Sequence, residues 1–88
     1  MSMTWTKKSG KEYTATLSGV VAIVKITAIT HYGKKFGERA VISFVDPKLP
    51  QGIVHESVRR DNLNGNLVIE NVLRVAELEL KKIVDGGR

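Results

Sequence analysis

Eighty-eight residues, 42% of them apolar, are enough for one domain and one core, and exclude a second domain or a disordered chain. With no cysteine the chain has no disulfide and no thiolate metal site, which points to an intracellular, cytoplasmic setting. The net charge of +5 sits wholly in residues 1–44, where seven Lys and Arg face two acids; residues 45–88 carry seven of each sign. Such a field attracts polyanions, although it also serves solubility.

Residues 1–11 are polar and basic, with Ser9-Gly10 as a breaker, and read as a flexible basic arm. No apolar run near Met1 has the character of a signal peptide, and the stretch 20–24 is far too short to span a membrane. Trp5 either packs back on the domain or serves as a mobile stacking residue. Residues 12–30 are rich in Val, Ile and Thr and read as strand. The apolar phase slips by one at Gly19, from Tyr13, Ala15 and Leu17 to Val20, Ala22, Val24, Ile26 and Ala28. A β-bulge in one long curved strand is the preferred explanation, and a tight turn at Ser18-Gly19 is the alternative. A loop at residues 33–37 then leads to a strand over residues 40–45. Residues 46–52, with two prolines and a glycine, form a turn. A third strand, or a short helix, covers residues 53–58, and residues 59–66 read as a polar loop. The last segment is ambiguous. Val68, Ile69, Val72, Leu73, Val75, Ala76, Leu80, Ile83 and Val84 share one half of a helical wheel, with Leu78 misplaced and Asn66 available as a cap. Two strands with a register change near Ala76 fit the same residues. The domain proper spans residues 12–85, with 86–88 as a tail.

No enzyme motif is present, and neither a Walker loop nor a dinucleotide fingerprint occurs. His31 and His55 lack a nearby third ligand, so no metal or other cofactor is expected. His55-Glu56-Ser57 holds the residue types of a triad, but neighbours on a strand point to opposite faces and cannot relay a proton. The chemistry concentrates instead in His31-Tyr32-Gly33-Lys34-Lys35-Phe36-Gly37-Glu38-Arg39. Lys34, Lys35 and Arg39 are suited to phosphates, and Tyr32 and Phe36 to base stacking. The bland reading is a glycine–lysine hairpin connector whose rings cover the core. Lys25 interrupts a long apolar strand, so its face must reach solvent or an anion. Phe44 and His55 are further candidates on the same sheet, and Arg59 is one in the loop that follows.

The segments Leu17-Ser18-Gly19-Val20-Val21-Ala22-Ile23-Val24, Tyr32-Gly33-Lys34-Lys35-Phe36-Gly37-Glu38 and Ala40-Val41-Ile42-Ser43-Phe44-Val45-Asp46 resemble the first half of OB-fold nucleic-acid-binding domains. These occur in single-stranded DNA-binding and primosomal proteins and in anticodon-binding domains. Leu73-Arg74-Val75-Ala76-Glu77-Leu78-Glu79-Leu80 resembles their last barrel strand. The resemblance implies a mainly β, OB-like five-stranded barrel with the ligand across its middle strands. The alternative is an α+β fold, an antiparallel sheet packed by one C-terminal amphipathic helix over 67–85. The expected function is non-catalytic binding of single-stranded DNA or RNA through Lys25, Tyr32, Lys34, Lys35, Phe36, Arg39, Phe44, His55 and Arg59. The runner-up is an assembly module, forming a homodimer or larger homo-oligomer through the apolar strand face that holds Val21 and Ile23. Neither a membrane nor a small-molecule substrate is expected as a partner.

Overall fold

A computed structural model describes residues 4–46, 54–63 and 65–86, with the side chains of 54–56 and 86 outside the description. Five strands and one helix follow in chain order: β1 (Thr6–Ser9), β2 (Glu12–Leu17), β3 (Val20–His31), β4 (Lys34–Val45), β5 (Val54–Asn62) and α1 (Ile69–Gly86). The strands form one antiparallel sheet in the order β1-β2-β3-β4-β5. The sheet is not closed into a barrel, since β1 and β5 lie at its two edges. The architecture is therefore an open sheet with a helix on one face. Residues 73–80, which resemble a last barrel strand, lie within α1.

Two turns define the meander. Ser18 and Gly19 have φ of 51° and 84°, and Tyr32 and Gly33 have 51° and 76°. Positive φ at both central residues makes a type I′ hairpin turn, whose twist matches that of the flanking strands. The phase slip at Gly19 is thus a turn between β2 and β3, and not a bulge in one curved strand. A bulge lies elsewhere. Ile29 pairs with Gly37 and Thr30 with Lys35, which leaves Phe36 as the extra residue on β4. The expected 33–37 loop is mostly strand, because β4 resumes at Lys34.

Alternation along β3 decides which face is covered. Val20, Ala22, Val24 and Ile26 are buried, as are Ala40, Ile42 and Phe44 of β4. Against them α1 sets Val72, Ala76, Leu80 and Ile83, spaced so that they form one helical stripe. The helix resolves the ambiguity of residues 67–84, and Leu78, the misplaced apolar residue, is 54% exposed. The Val68 carbonyl accepts the N–H groups of Asn71 and Val72 at 3.0 and 3.1 Å, which starts the helix. Asn66 does not cap it; its Oδ1 accepts Lys35 Nζ at 2.8 Å. No described helix is long and apolar enough to cross a membrane.

The edges also differ from the sequence reading. Within the stretch read as an arm, residues 6–9 form β1, and Trp5 Nε1 donates to Glu77 Oε1 at 2.9 Å, so the indole packs back on the helix. At the other edge β5 continues through Arg59, Arg60, Asp61 and Asn62, residues that read as loop. The turn at residues 46–52 and the tail lie largely outside the described residues.

Candidate functional site

Sheet alternation gives the uncovered face its composition. Residues of β3 and β4 that alternate with the core set are Val21, Ile23, Lys25, Thr27 and Ile29, and Arg39, Val41, Ser43 and Val45. In register across the strands, Lys25 lies between Glu12 and Val41, Val41 is followed by Arg59, and Thr27 lies beside Arg39 and Asp61. The face therefore has two halves. Val21, Ile23, Val41 and Val45 make a half-buried apolar end, and Lys25, Arg39 and Arg59 make a basic end that runs toward the β3–β4 turn.

Beyond Ile26 the β3–β4 hairpin outruns the core. Ala28 and Thr30 are exposed although they stand on the helix side of the sheet. Two twelve-residue strands exceed what one helix covers, and the long dimension of the molecule reaches 42 Å. The projecting tip carries His31, Tyr32, Lys34, Lys35 and Phe36, all exposed. Tyr32 is 92% exposed, and its ring meets His31 edge-on with centroids 4.2 Å apart. Phe36, pushed outward by the bulge, is 52% exposed and lies 5.7 Å from the His31 ring at 33°. These side chains line an open hollow of about 370 Å³.

Tyr32 is held in the left-handed region, where aromatic residues are uncommon and Asn or Gly is preferred for this turn. The turn alone does not favour a tyrosine there, and burial gives it no compensation. An unusual backbone state that supports a bare ring is a pointer to binding.

Among the described residues, the cations of this face and tip divide into those exposed and outside any ion pair and those committed to a partner. Lys25, Lys34 and Arg59 are exposed. Lys35 donates to Asn66 and lies 3.5 Å from Glu38 Oε2. Arg39 grips Asp61 with Nε–Oδ1 at 2.9 Å and Nη2–Oδ2 at 3.2 Å. That paired hydrogen bond lowers the Asp61 carboxyl and raises the Arg39 guanidinium from their ordinary values. Arg59 adds a smaller coulombic pull on Asp61.

Glu38 anchors the base of the hairpin. Its buried carboxylate accepts Lys11 Nζ at 3.0 Å through Oε2 and the Leu67 N–H at 2.7 Å through Oε1. These bonds, the Lys11 one first, hold its pKa below the usual carboxylate value, and the charges of Lys11 and Lys35 act in the same direction. The carboxylate thus ties the β1–β2 turn, β4 and the segment before α1 at one point.

Of the nine site residues expected from sequence, the structure brings His31's neighbours Tyr32, Lys34 and Phe36 together at the tip, with Lys35 on its helix side. Lys25, Arg39 and Arg59 lie on the open face below it. Phe44 does not belong there: it is fully buried beneath α1, because its alternation phase is that of Ile42 and Ala40. His55 lies on β5, and its side chain is outside the described residues. Sequence reasoning missed Asp61 and Glu38, which neutralise Arg39 and Lys35. It also placed Arg59 in a loop. Among the described residues no three His, Asp or Glu side chains group as metal ligands. Comparison with protein-family models, curated proteins and solved structures gives no match.

Proposed function

We propose that the chain binds single-stranded nucleic acid, without catalysis, on the open sheet face and the projecting β3–β4 tip. The observation that carries this reading is the Tyr32 ring, 92% exposed in a left-handed turn beside His31 and Lys34. Tyr32 and Phe36 stack bases; Lys34, Lys25 and Arg59 follow phosphates. Lys35 and Arg39 contribute less, because each already holds an acid or an amide of its own chain. An exposed sheet suits this ligand, since unstacked bases lie flat against rings and any base offers a π face. From the OB-type resemblance the reading keeps the ligand class and the middle-strand location, now on an open sheet.

Fluorescence anisotropy with a labelled oligonucleotide tests it. Phosphate contacts from Lys25, Lys34 and Arg59 give a log–log salt slope of about −2 for a single strand, so affinity falls about 16-fold between about 50 and 200 mM salt. Tyr32→Ala weakens binding about 5- to 150-fold, the range of one lost stacking contact. Single strands bind more tightly than duplex. An affinity that ignores salt, or a Tyr32→Ala variant that binds as the parent does, refutes the reading.

A second reading rests on the other half of the same face. Val21, Ile23, Val41 and Val45 form a half-exposed apolar patch that suits assembly with another copy. A Lys34→Glu, Lys35→Glu double substitution separates the two: it abolishes oligonucleotide binding under the first reading and changes nothing under the second.

A further inference from the structure

The helix α1 packs mainly over β2, β3 and β4, and it leaves the helix-side row of β5 partly uncovered. That row is Val58, Arg60 and Asn62, which stand opposite Ile42, Ala40 and Glu38 of β4 and so share their face. Between the row and the near flank of α1 runs an open hollow of about 330 Å³. Arg60 and Asn62 line it on the strand side, and Leu67, Val68, Asn71 and Val75 on the other. Its surroundings are apolar. Leu63, Val68 and Leu78 are all more than half exposed, and among the described residues they are the large apolar side chains exposed outside the β3–β4 tip. Leu78 follows Asn71 by two helical turns and so lies on the same flank. The leucine that is misplaced for the core is in place for this groove.

The strand side of the groove is also an edge. β5 pairs with β4 and is the last strand of the sheet. Among the described residues no strand lies on its other side, so alternate residues of β5 send N–H and C=O groups outward. An edge strand beside a helix flank has the parts of a strand-addition site. Its backbone groups supply affinity, and the hollow accepts alternate side chains of the added strand.

Charge selects the occupant. Among the described residues Arg60 is exposed and enters no ion pair. Asp61 also borders the hollow, but Arg39 holds it. Charged edges normally repel foreign strands, and this one repels basic ones. The exposed β1 of a second copy carries Lys7 and Lys8 and would bring cations against Arg60, so copies do not stack edge to edge through β1 and β5. A nucleic acid fits less well, since a single cation among Leu67, Val68, Val72 and Val75 offers few phosphate contacts.

We propose that β5 and the adjoining flank of α1 form a docking groove for an extended segment of another protein. The segment adds to β5 as an antiparallel strand and sets an acidic side chain on Arg60 between two apolar ones. Its other side chains alternate onto the open face of the sheet. The proposal stands whether or not that face binds nucleic acid, because Arg60 and the helix flank lie on the opposite side.

Fluorescence anisotropy on the full chain with the labelled heptapeptide Thr-Leu-Thr-Glu-Thr-Leu-Thr tests it. Wild type binds the peptide in a titration reaching about 1 mM, the range of one short added strand. Arg60→Glu weakens binding about tenfold or more, and a peptide with lysine in place of the glutamate reverses the order of the two proteins. Val68→Ser, at an exposed position, weakens binding about threefold. N-methylation of alternate peptide residues keeps the side chains and removes strand hydrogen bonds. In one of the two methylation frames binding falls about tenfold or more, and in the other it is retained. Circular dichroism follows the fold of each variant. If Arg60→Glu unfolds the chain, Arg60→Gln replaces it and weakens binding about threefold. A wild type that ignores the peptide, an Arg60→Glu variant that binds both peptides as wild type does, or equal affinity in both methylation frames overturns the proposal. So does an oligonucleotide, or a second copy in sedimentation equilibrium, whose binding depends on Arg60 and Val68 while the peptide does not bind.

Discussion

Gly37 is the residue on which the junction of β4, β5 and the segment before α1 depends most directly. It is buried, and a Cβ there would stand 2.8 Å from the Asn62 carbonyl carbon and 2.9 Å from Leu63 Cα, and closer still to the Asn62 carbonyl oxygen. All three atoms are backbone, so no rotamer change relieves the clash. Ordinary carbon contacts begin near 3.5 Å, and the end of β5 would have to move outward by about 1 Å. That shift loosens the Asn62 Nδ2 bond to the Asn66 carbonyl, 3.0 Å long, and draws Leu67 away from Glu38. Overpacking plus one or two loosened hydrogen bonds makes Gly37→Ala cost about 2–4 kcal/mol. A chain of this length has a total stability of about 4–13 kcal/mol, so the melting temperature falls by about 10–25 °C. Urea titration followed by circular dichroism and by Trp5 emission measures it. Gly10 supplies the control, because nothing lies within 4 Å of a Cβ built there and its φ is not left-handed. Gly10→Ala stays within about 0.5 kcal/mol of the parent, or gains slightly through a stiffer unfolded chain. A Gly37→Ala variant as stable as Gly10→Ala refutes the close packing of these strands.

The two phenylalanines separate core from surface: Phe44→Ala costs about 3–5 kcal/mol in urea titration, whereas Phe36→Ala changes stability by less than about 0.5 kcal/mol and weakens oligonucleotide binding. Tyr32→Asn gains about 0.5–1 kcal/mol, because asparagine tolerates the left-handed turn better, yet loses affinity in the anisotropy assay; an equally stable or less stable variant contradicts the strained-turn reading. Glu38 has a folded pKa below its ordinary 4.5, so its contribution is complete above that value and fades as pH falls through the folded pKa. Glu38→Gln is therefore less stable than the parent at neutral pH, and its urea midpoint declines less on acidification to about pH 3; parallel pH profiles would exclude the carboxylate clamp.

Local pattern alone settled a good deal. The alternation of Val20, Ala22, Val24 and Ile26 marked the buried face of β3, and the exposure of Lys25 followed from its opposite phase. The helical stripe through Val72, Ala76 and Leu80 was visible on the wheel, and so was the awkward position of Leu78. The basic–aromatic tip was visible as a cluster because a hairpin keeps its two arms close in sequence. Long-range register was not. Arg39 and Asp61 are 22 residues apart, and nothing in either segment shows that β4 and β5 align them; Lys11 and Glu38, 27 apart, meet only when the sheet forms. Phe44 carried the same residue type as Phe36, and burial under α1 separated a core ring from a surface ring. The choice between helix and strands for residues 67–84 was likewise tertiary. The sheet left one apolar face uncovered, and an eighteen-residue amphipathic helix closes it where a strand at the edge cannot. Residue order dictated which side chains alternate, but left the break at Gly19 open between a bulge and a turn and hid the strand over residues 59–62. Which distant charges neutralise one another, and which face remains open, depended on pairing between segments, and pairing energy belongs to neither segment by itself.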